Sequence, residues 1–210
     1  MLLEGKVGPV VAADQTQNEI RQSKDSSTVT IDGHARYQEA VYRGGAWSAA
    51  NQAGQALTAL ATAMTGYILF NPSNSGKNLV VWNVDVGVTA AAGTATVATI
   101  CLAGAAGGNL AAPTGTTSLT PVNMVLNNNV HPTANVYSTA TWAGVTPTIV
   151  KPLVNVQIGT AAANLYVTPC STELAGALIV PPGAYIAITQ SPSTTLLTCL
   201  ISMTWEEIPI

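Results

Sequence analysis

Along residues 80–88 every second side chain is apolar. Val80, Trp82, Val84, Val86 and Val88 fall to one side, and Asn83, Asp85 and Gly87 to the other. Period two admits one regular backbone, a β-strand with one face turned inward. The pattern returns near the end, where Leu197, Cys199, Ile201, Met203 and Trp205 alternate with Thr198, Leu200, Ser202, Thr204 and Glu206. Both Trp82 and Trp205 are therefore expected in the core. Tyr67-Ile68-Leu69-Phe70 is a third strand candidate, closed by the turn cluster Asn71-Pro72-Ser73-Asn74-Ser75-Gly76. Further strand-length runs lie near 95–102, 122–126, 135–142, 148–158, 164–168, 177–180 and 184–190, with Gly, Pro or Asn in nearly every gap. Pro152 cannot donate to a ladder, so its strand is expected at a sheet edge or at a bulge. Residues 46–66 are rich in Ala and Gln; the alternation around Ala56-Leu57-Thr58-Ala59-Leu60 favours an extended path over a helix. No fixed-period repeat is present. Many short strands separated by turns predict a mostly-β chain, a β-sandwich or jelly-roll-like domain.

Charge divides the chain in two. Eleven of its seventeen charged residues lie within residues 1–43. Beyond them stand only Lys77, Asp85, Lys151, Glu173, Glu206 and Glu207. The whole chain is 8% charged, against about 25% in an ordinary soluble domain. The polar, weakly periodic beginning holds too little apolar surface to fold alone. It reads as an extended N-terminal arm, residues 1–36, ahead of a body over residues 37–210. In such an arm Ile20, Val29 and Ile31 are the candidate apolar anchors, and Arg21, Lys24 and Arg36 the candidate positioning charges, for binding a partner.

Several function classes lack their residues. No apolar run approaches the roughly 20 residues of a membrane-spanning helix. Met1-Leu2-Leu3 is followed at once by Glu4 and Lys6 rather than by a signal-peptide core, so a soluble chain made in a host cytoplasm is expected. A net charge of −3 with seven Lys and Arg does not build a nucleic-acid groove. Cys101, Cys170 and Cys199 are too scattered for a zinc site or a disulfide framework, and read as small buried apolar residues. Ser75-Gly76-Lys77-Asn78 lacks the first Gly and the final Ser or Thr of a phosphate loop; as a turn before a strand it is fully explained. His34 and His131 are remote from one another, and His131 precedes Pro132 in a loop. Glu206 and Glu207 are adjacent, so on a strand they point to opposite faces and do not flank one bond. Trp142 is the best candidate for an exposed aromatic, as a sugar-binding platform would need. No metal or cofactor is expected, and the chain is read as non-enzymatic.

Several short segments together carry a resemblance. They are Gly33-His34-Ala35-Arg36-Tyr37-Gln38-Glu39-Ala40 through Arg43-Gly44-Gly45, then Phe70-Asn71-Pro72 and Gly76-Lys77-Asn78-Leu79-Val80. Val180-Pro181-Pro182-Gly183-Ala184-Tyr185 and Trp205-Glu206-Glu207-Ile208-Pro209-Ile210 complete the set. In pattern, residues 33–210 resemble a family of phage-encoded virion proteins. The resemblance implies a homotrimeric β-sandwich on the capsid surface that decorates, or cements, the phage head. Its partners would be copies of itself and the major capsid protein or another virion protein. A fibre or receptor-binding subunit is the alternative within that class, and a carbohydrate-binding module the alternative outside it.

Overall fold

The fold is taken from a computed structural model, which describes residues 36–93, 97–106, 110–126, 130–157, 169–191 and 195–210. The chain divides into two units, Met1–Glu39 and Ala40–Ile210. Of the first, only residues 36–39 are described. There the Arg36 guanidinium lies 5.3 Å from the centre of the Tyr37 ring.

A short helix, α1 (Gln38–Tyr42), precedes the strands. Gly44 ends it: at a φ of +73° it adopts the left-handed cap that side-chain-bearing residues avoid. Its amide donates to Val41 O at 2.8 Å, and the Gly45 amide donates to Ala40 O at 3.1 Å. The strands follow as β1 (Ala46–Ala50), β2 (Gln55–Ala56), β3 (Ala63–Asn71), β4 (Lys77–Gly93), β5 (Val97–Ala106) and β6 (Thr114–Leu119). Then come β7 (Val122–Asn123), β8 (Asn135–Thr141), β9 (Thr148–Gln157), β10 (Cys170–Val180), β11 (Ala184–Ser191) and β12 (Thr195–Pro209).

These strands build two antiparallel sheets. The first has the order β10-β4-β12-β1-β7, with β2 also paired to β12. The second has the order β6-β8-β3-β11-β5-β9. One hydrophobic core joins them: Trp47, Val84, Val86, Ile201, Met203 and Trp205 of the first sheet pack with Tyr67, Leu69, Ile100, Leu102, Ile186 and Ile188 of the second. The chain is a β-sandwich, as its alternation predicts. Trp47 and Trp205 are direct register partners across β1 and β12, which sets two indole rings side by side in the core.

The extended reading of 46–66 holds in β1 and β2. Pro152 meets both parts of its expectation: β9 pairs only with β5, at the edge, and the register shifts beside it between Ile100 and Cys101. Helix α1 and strand β6 carry no sequence signal of the kind used above. The strand candidate at 164–168 lies outside the described residues.

One part of the alternation fails. Val84 and Val86 point into the core, but so do Leu79 and Val81, while Val80 is half-buried outside it. The side-chain parity of β4 switches at Trp82. There β12 skips a residue, pairing Thr204 with Asn83 and Trp205 with Val81. On the other side β10 breaks register between Glu173 and Leu178. Trp82 is buried, as expected, but it sits at this double bulge and not in the joint core cluster. A single extra residue on one strand exchanges the faces of everything beyond it.

The second sheet is covered on its outer side as well. Met64, Ile68, Phe70, Leu110, Ala140, Trp142, Tyr185 and Ala187 form a separate apolar cluster there. Trp142, expected exposed, is 2% exposed. Its ring stacks on Tyr185 at 3.8 Å and meets Phe70 edge-on at 6.1 Å. Trp142 lies two residues beyond Ala140 in the same cluster, and its amide donates to Thr62 O at 2.9 Å, so the indole continues the outward face of β8 just past the strand's end.

Candidate functional site

Three features of residues 40–210 bear on function: a groove on the outer face of the first sheet, a buried carboxylate at one end of the sandwich, and an exposed apolar edge.

The groove follows from register. Ser171 on β10, Asp85 on β4, Ser202 on β12 and Ala50 on β1 are successive cross-strand partners, so they line one row. The depression over this row has a volume of about 490 Å³ and includes Gln52, Gly87, Cys170 and Leu200 in its lining. Gly87 contributes no side chain, which opens the floor beside the exposed Leu200. The Asp85 carboxylate is held from within the sheet. Asn83 Nδ2 donates to both its oxygens at 2.9 Å, and Ser202 Oγ donates to Oδ2 at 3.1 Å. Asn51, at the groove's rim, is committed to the backbone: its Nδ2 donates to Cys199 O at 2.8 Å and to Ala53 O at 2.9 Å, and its Oδ1 accepts from Ile201 N. The groove thus offers one tethered carboxylate, small hydroxyls, the half-buried Cys170 and a leucine.

The buried carboxylate is Glu207. It continues the inward series of β12 two residues beyond Trp205, and its side chain is 1% exposed. Lys77 Nζ lies 2.8 Å from Oε2. The amides of Thr133 and Ala134 donate to Oε1 at 2.8 and 2.9 Å. Both oxygens of the carboxylate are thus answered, one by a cation and the other by two backbone donors, as a buried charge requires. One side chain thereby ties together the start of β4, the approach to β8 and the end of β12. Glu206 faces the other way, as the adjacent-residue argument predicts, and partial burial pushes its carboxyl above the usual range.

The apolar edge adjoins β7. Val122, Met124, Val125 and Leu126 are exposed at 50%, 41%, 36% and 77%. The segment carrying them is pinned. Asn123, itself buried, donates from Nδ2 to Gly44 O at 2.8 Å, and its Oδ1 accepts the Val125 amide at 2.9 Å. The Met124 amide donates to Ala46 O at 3.0 Å.

The other sequence candidates are placed as follows. Ile20, Arg21, Lys24, Val29 and Ile31 lie outside the described residues. Arg36 is described, is exposed and belongs to the first unit. His131 is exposed and lines a separate depression of about 220 Å³ with Tyr137 and Leu119. Cys101 and Cys199 are buried free thiols, as read, whereas Cys170 is half-buried at the groove. Burial pushes the Cys199 thiol up to about 12. No cluster of three or more His, Cys, Asp or Glu able to hold a metal exists among the described residues. No described helix is long and apolar enough to cross a membrane.

Sequence reasoning set Glu207 and Glu206 on opposite faces but gave Glu207 no partner, and it passed over Asn123. Glu207 was legible in principle: it stands at an inward parity position of β12, and a charge there demands a partner. Asn123 gives no such sign, because its role depends on Gly44, which is far away in the chain.

Comparison of the chain with protein-family models, with curated proteins and with solved structures found no match.

Proposed function

We propose that this chain is a non-enzymatic structural subunit of a phage particle, a homotrimer that decorates and cements the capsid. The observation that carries the reading is the surface of the sandwich. From residue 86 to residue 150 there is not one Asp, Glu, Lys or Arg, and the built edge at 122–126 presents apolar side chains outward. A lone soluble particle keeps charges on its surface; interface cores are where charges are depleted. The motif resemblance set out above points the same way. In this reading the sandwich trimerises over a junction between capsid subunits, and the arm, with Ile20, Arg21, Lys24, Val29, Ile31 and Arg36, attaches it. An arm that orders on docking wraps surface at an entropic cost, and three arms on one trimer gain by avidity.

The test compares the full chain with a version lacking residues 1–36, each added to purified particles stripped of it. Sedimentation equilibrium is expected to give three times the chain mass for each version, the full chain's being 21.4 kDa. Only the full chain is expected to bind, at a copy number comparable with that of the capsid subunit. A monomer at high concentration overturns the trimer. Equal binding by the shortened chain overturns the arm as the attachment. Saturation at a small fraction of the capsid copy number favours the fibre or receptor-binding reading instead.

A further inference from the structure

The groove on the outer face of the first sheet is built around one anion. We propose that it is a lysine socket. It receives the side chain of a lysine presented by a partner protein, with the ammonium on Asp85 and the aliphatic stem along Leu200. This goes beyond the capsid reading and does not depend on it.

The first ground is the unmet charge of Asp85. The residue is half-buried, and its hydrogen bonds, from Asn83 Nδ2 and Ser202 Oγ, come from neutral donors. Beyond residue 43 the chain has only Lys77 and Lys151 as cations. Lys77 is held by Glu207 at the end of the sandwich, and Lys151 lies on β9, at the edge of the other sheet. A carboxylate drawn out of water favours a cation beside it. Glu207 has its lysine within the fold. Among the described residues Asp85 has none, and it lines a groove of about 490 Å³.

The second ground is that the carboxylate is held in place. Asn83 stands two residues away on the same face of β4, and Ser202 is the cross-strand partner of Asp85 on β12. Both direct their donors at its oxygens, so Asp85 has one orientation before any ligand arrives. Such preorganisation removes an ordering cost on binding. The Asn51 amide is committed to the Cys199 and Ala53 carbonyls, and Gln52 Nε2 donates to Ala50 O at 3.3 Å. What the groove still has to give is mainly acceptor capacity, on Asp85 and on the Gln52 side-chain oxygen. An ammonium group is all donor.

The third ground selects lysine among cations. Asn83 Nδ2 lies 2.9 Å from both carboxylate oxygens, so it occupies the edge between them. On that edge a guanidinium seats its parallel N–H groups. With the edge taken, arginine loses its paired contact, whereas an ammonium, a point charge with rotatable donors, loses nothing. A hard metal ion such as calcium takes about six to eight oxygen ligands, and no cluster of three or more acidic, His or Cys side chains stands among the described residues. The stem has its place as well. Gly87 and Leu200 are cross-strand partners, so the bare glycine leaves room beside the exposed leucine, and a lysine stem lies well along such apolar surface.

The experiment titrates the full chain with the tripeptide acetyl-Gly-Lys-Gly-amide and follows backbone amide chemical shifts. The same peptide with arginine or norleucine at its centre is run alongside. The lysine peptide is expected to shift Asp85, Ser171, Leu200 and Ser202, saturating at about 1–10 mM, the affinity of so small a ligand. Asp85→Asn, which keeps the shape and loses the charge, is expected to weaken it about tenfold. Norleucine, a stem without the charge, is expected to give no saturable shift, and arginine a weaker one. Raising salt from about 50 to about 500 mM is expected to weaken the lysine peptide on the wild type. Should Asp85→Asn fail to fold, the three peptides and the salt series on the wild type decide. No saturable shift with lysine, equal binding of norleucine, full affinity in Asp85→Asn, or indifference to salt overturns the socket. Arginine binding as tightly as lysine overturns the preference drawn from Asn83. None of these outcomes bears on the trimer or the arm, which the particle-binding test above decides.

Discussion

At the scale of single residues, Trp205 and Glu207 sit two positions apart on one face of β12 and show what that face tolerates. Trp205 is fully buried in the joint core beside its partner Trp47. Trp205→Ala is expected to cost about 3–5 kcal/mol, the range for emptying a large aromatic site that does not collapse. Trp82→Ala is expected to cost less, because Trp82 lies at the double bulge, outside the core cluster, where the backbone has more room to adjust. Urea-unfolding midpoints of the two variants check the order; equal values would mean that the bulge confers no slack. Both tryptophans were legible as buried from alternation alone. Their difference was not, since alternation assumes an unbroken register, and the break at Trp82 arises from β10 and β12, its neighbours in space. Glu207 is the converse: its inward position was visible in the sequence, and its partners at Lys77, Thr133 and Ala134 were not.

At the scale of elements, strand β3 shows how a long strand is fitted between two neighbours. Gly66 lies within it at a φ of +140°, where the register with β8 shifts between Thr65 and Ile68. A Cβ added there would lie 2.7 Å from Leu57 Cδ2 and 3.0 Å from the Ile188 carbonyl oxygen. Gly76 also has a positive φ, of 63°, but nothing lies near its missing Cβ. Comparing the two separates backbone strain from crowding. Gly76→Ala is expected to cost about 1 kcal/mol, from strain alone. Gly66→Ala is expected to cost at least about 2 kcal/mol, because the Ile188 backbone resists displacement. Thermal melts of both variants check this, and comparable losses would show that the strand yields at Gly66. Strand positions were mostly readable from turn residues and alternation. Strand β6 was not, because Thr, Gly and Ser along it form no apolar face.

At the scale of the whole molecule, burial makes the sandwich sensitive to alkali. Burial raises the Tyr185 hydroxyl from 10.0 to about 12 and the Cys199 thiol from 9.0 to about 12, and it raises Tyr67 as well, whose hydroxyl donates to Ala49 O at 3.0 Å. Above the ordinary values the unfolded chain has lost protons that the folded chain still holds, so stability falls with rising pH. The contribution is complete below about pH 9 and is lost as pH climbs through about 12. Melting temperature is therefore expected to decline across that window, with the tyrosinate absorbance of Tyr67 appearing only on unfolding and that of Tyr185 lagging behind the exposed tyrosines. Full tyrosinate absorbance in a still-folded protein would contradict it. The sandwich class itself could be read in advance, whereas the sheet order could not, because it joins strands far apart in the chain. That order has a consequence in time. Strand β12 lies between β4 and β1, so the first sheet lacks its central member until residues 195–209 have left the ribosome. Nearly every pairing is long-range, which makes for slow folding. Until then β4 has only β10 to pair with and β1 only β7, and β12 is the piece that lets the first sheet close. Folding of the sandwich, and any assembly that depends on it, is timed by the arrival of that strand.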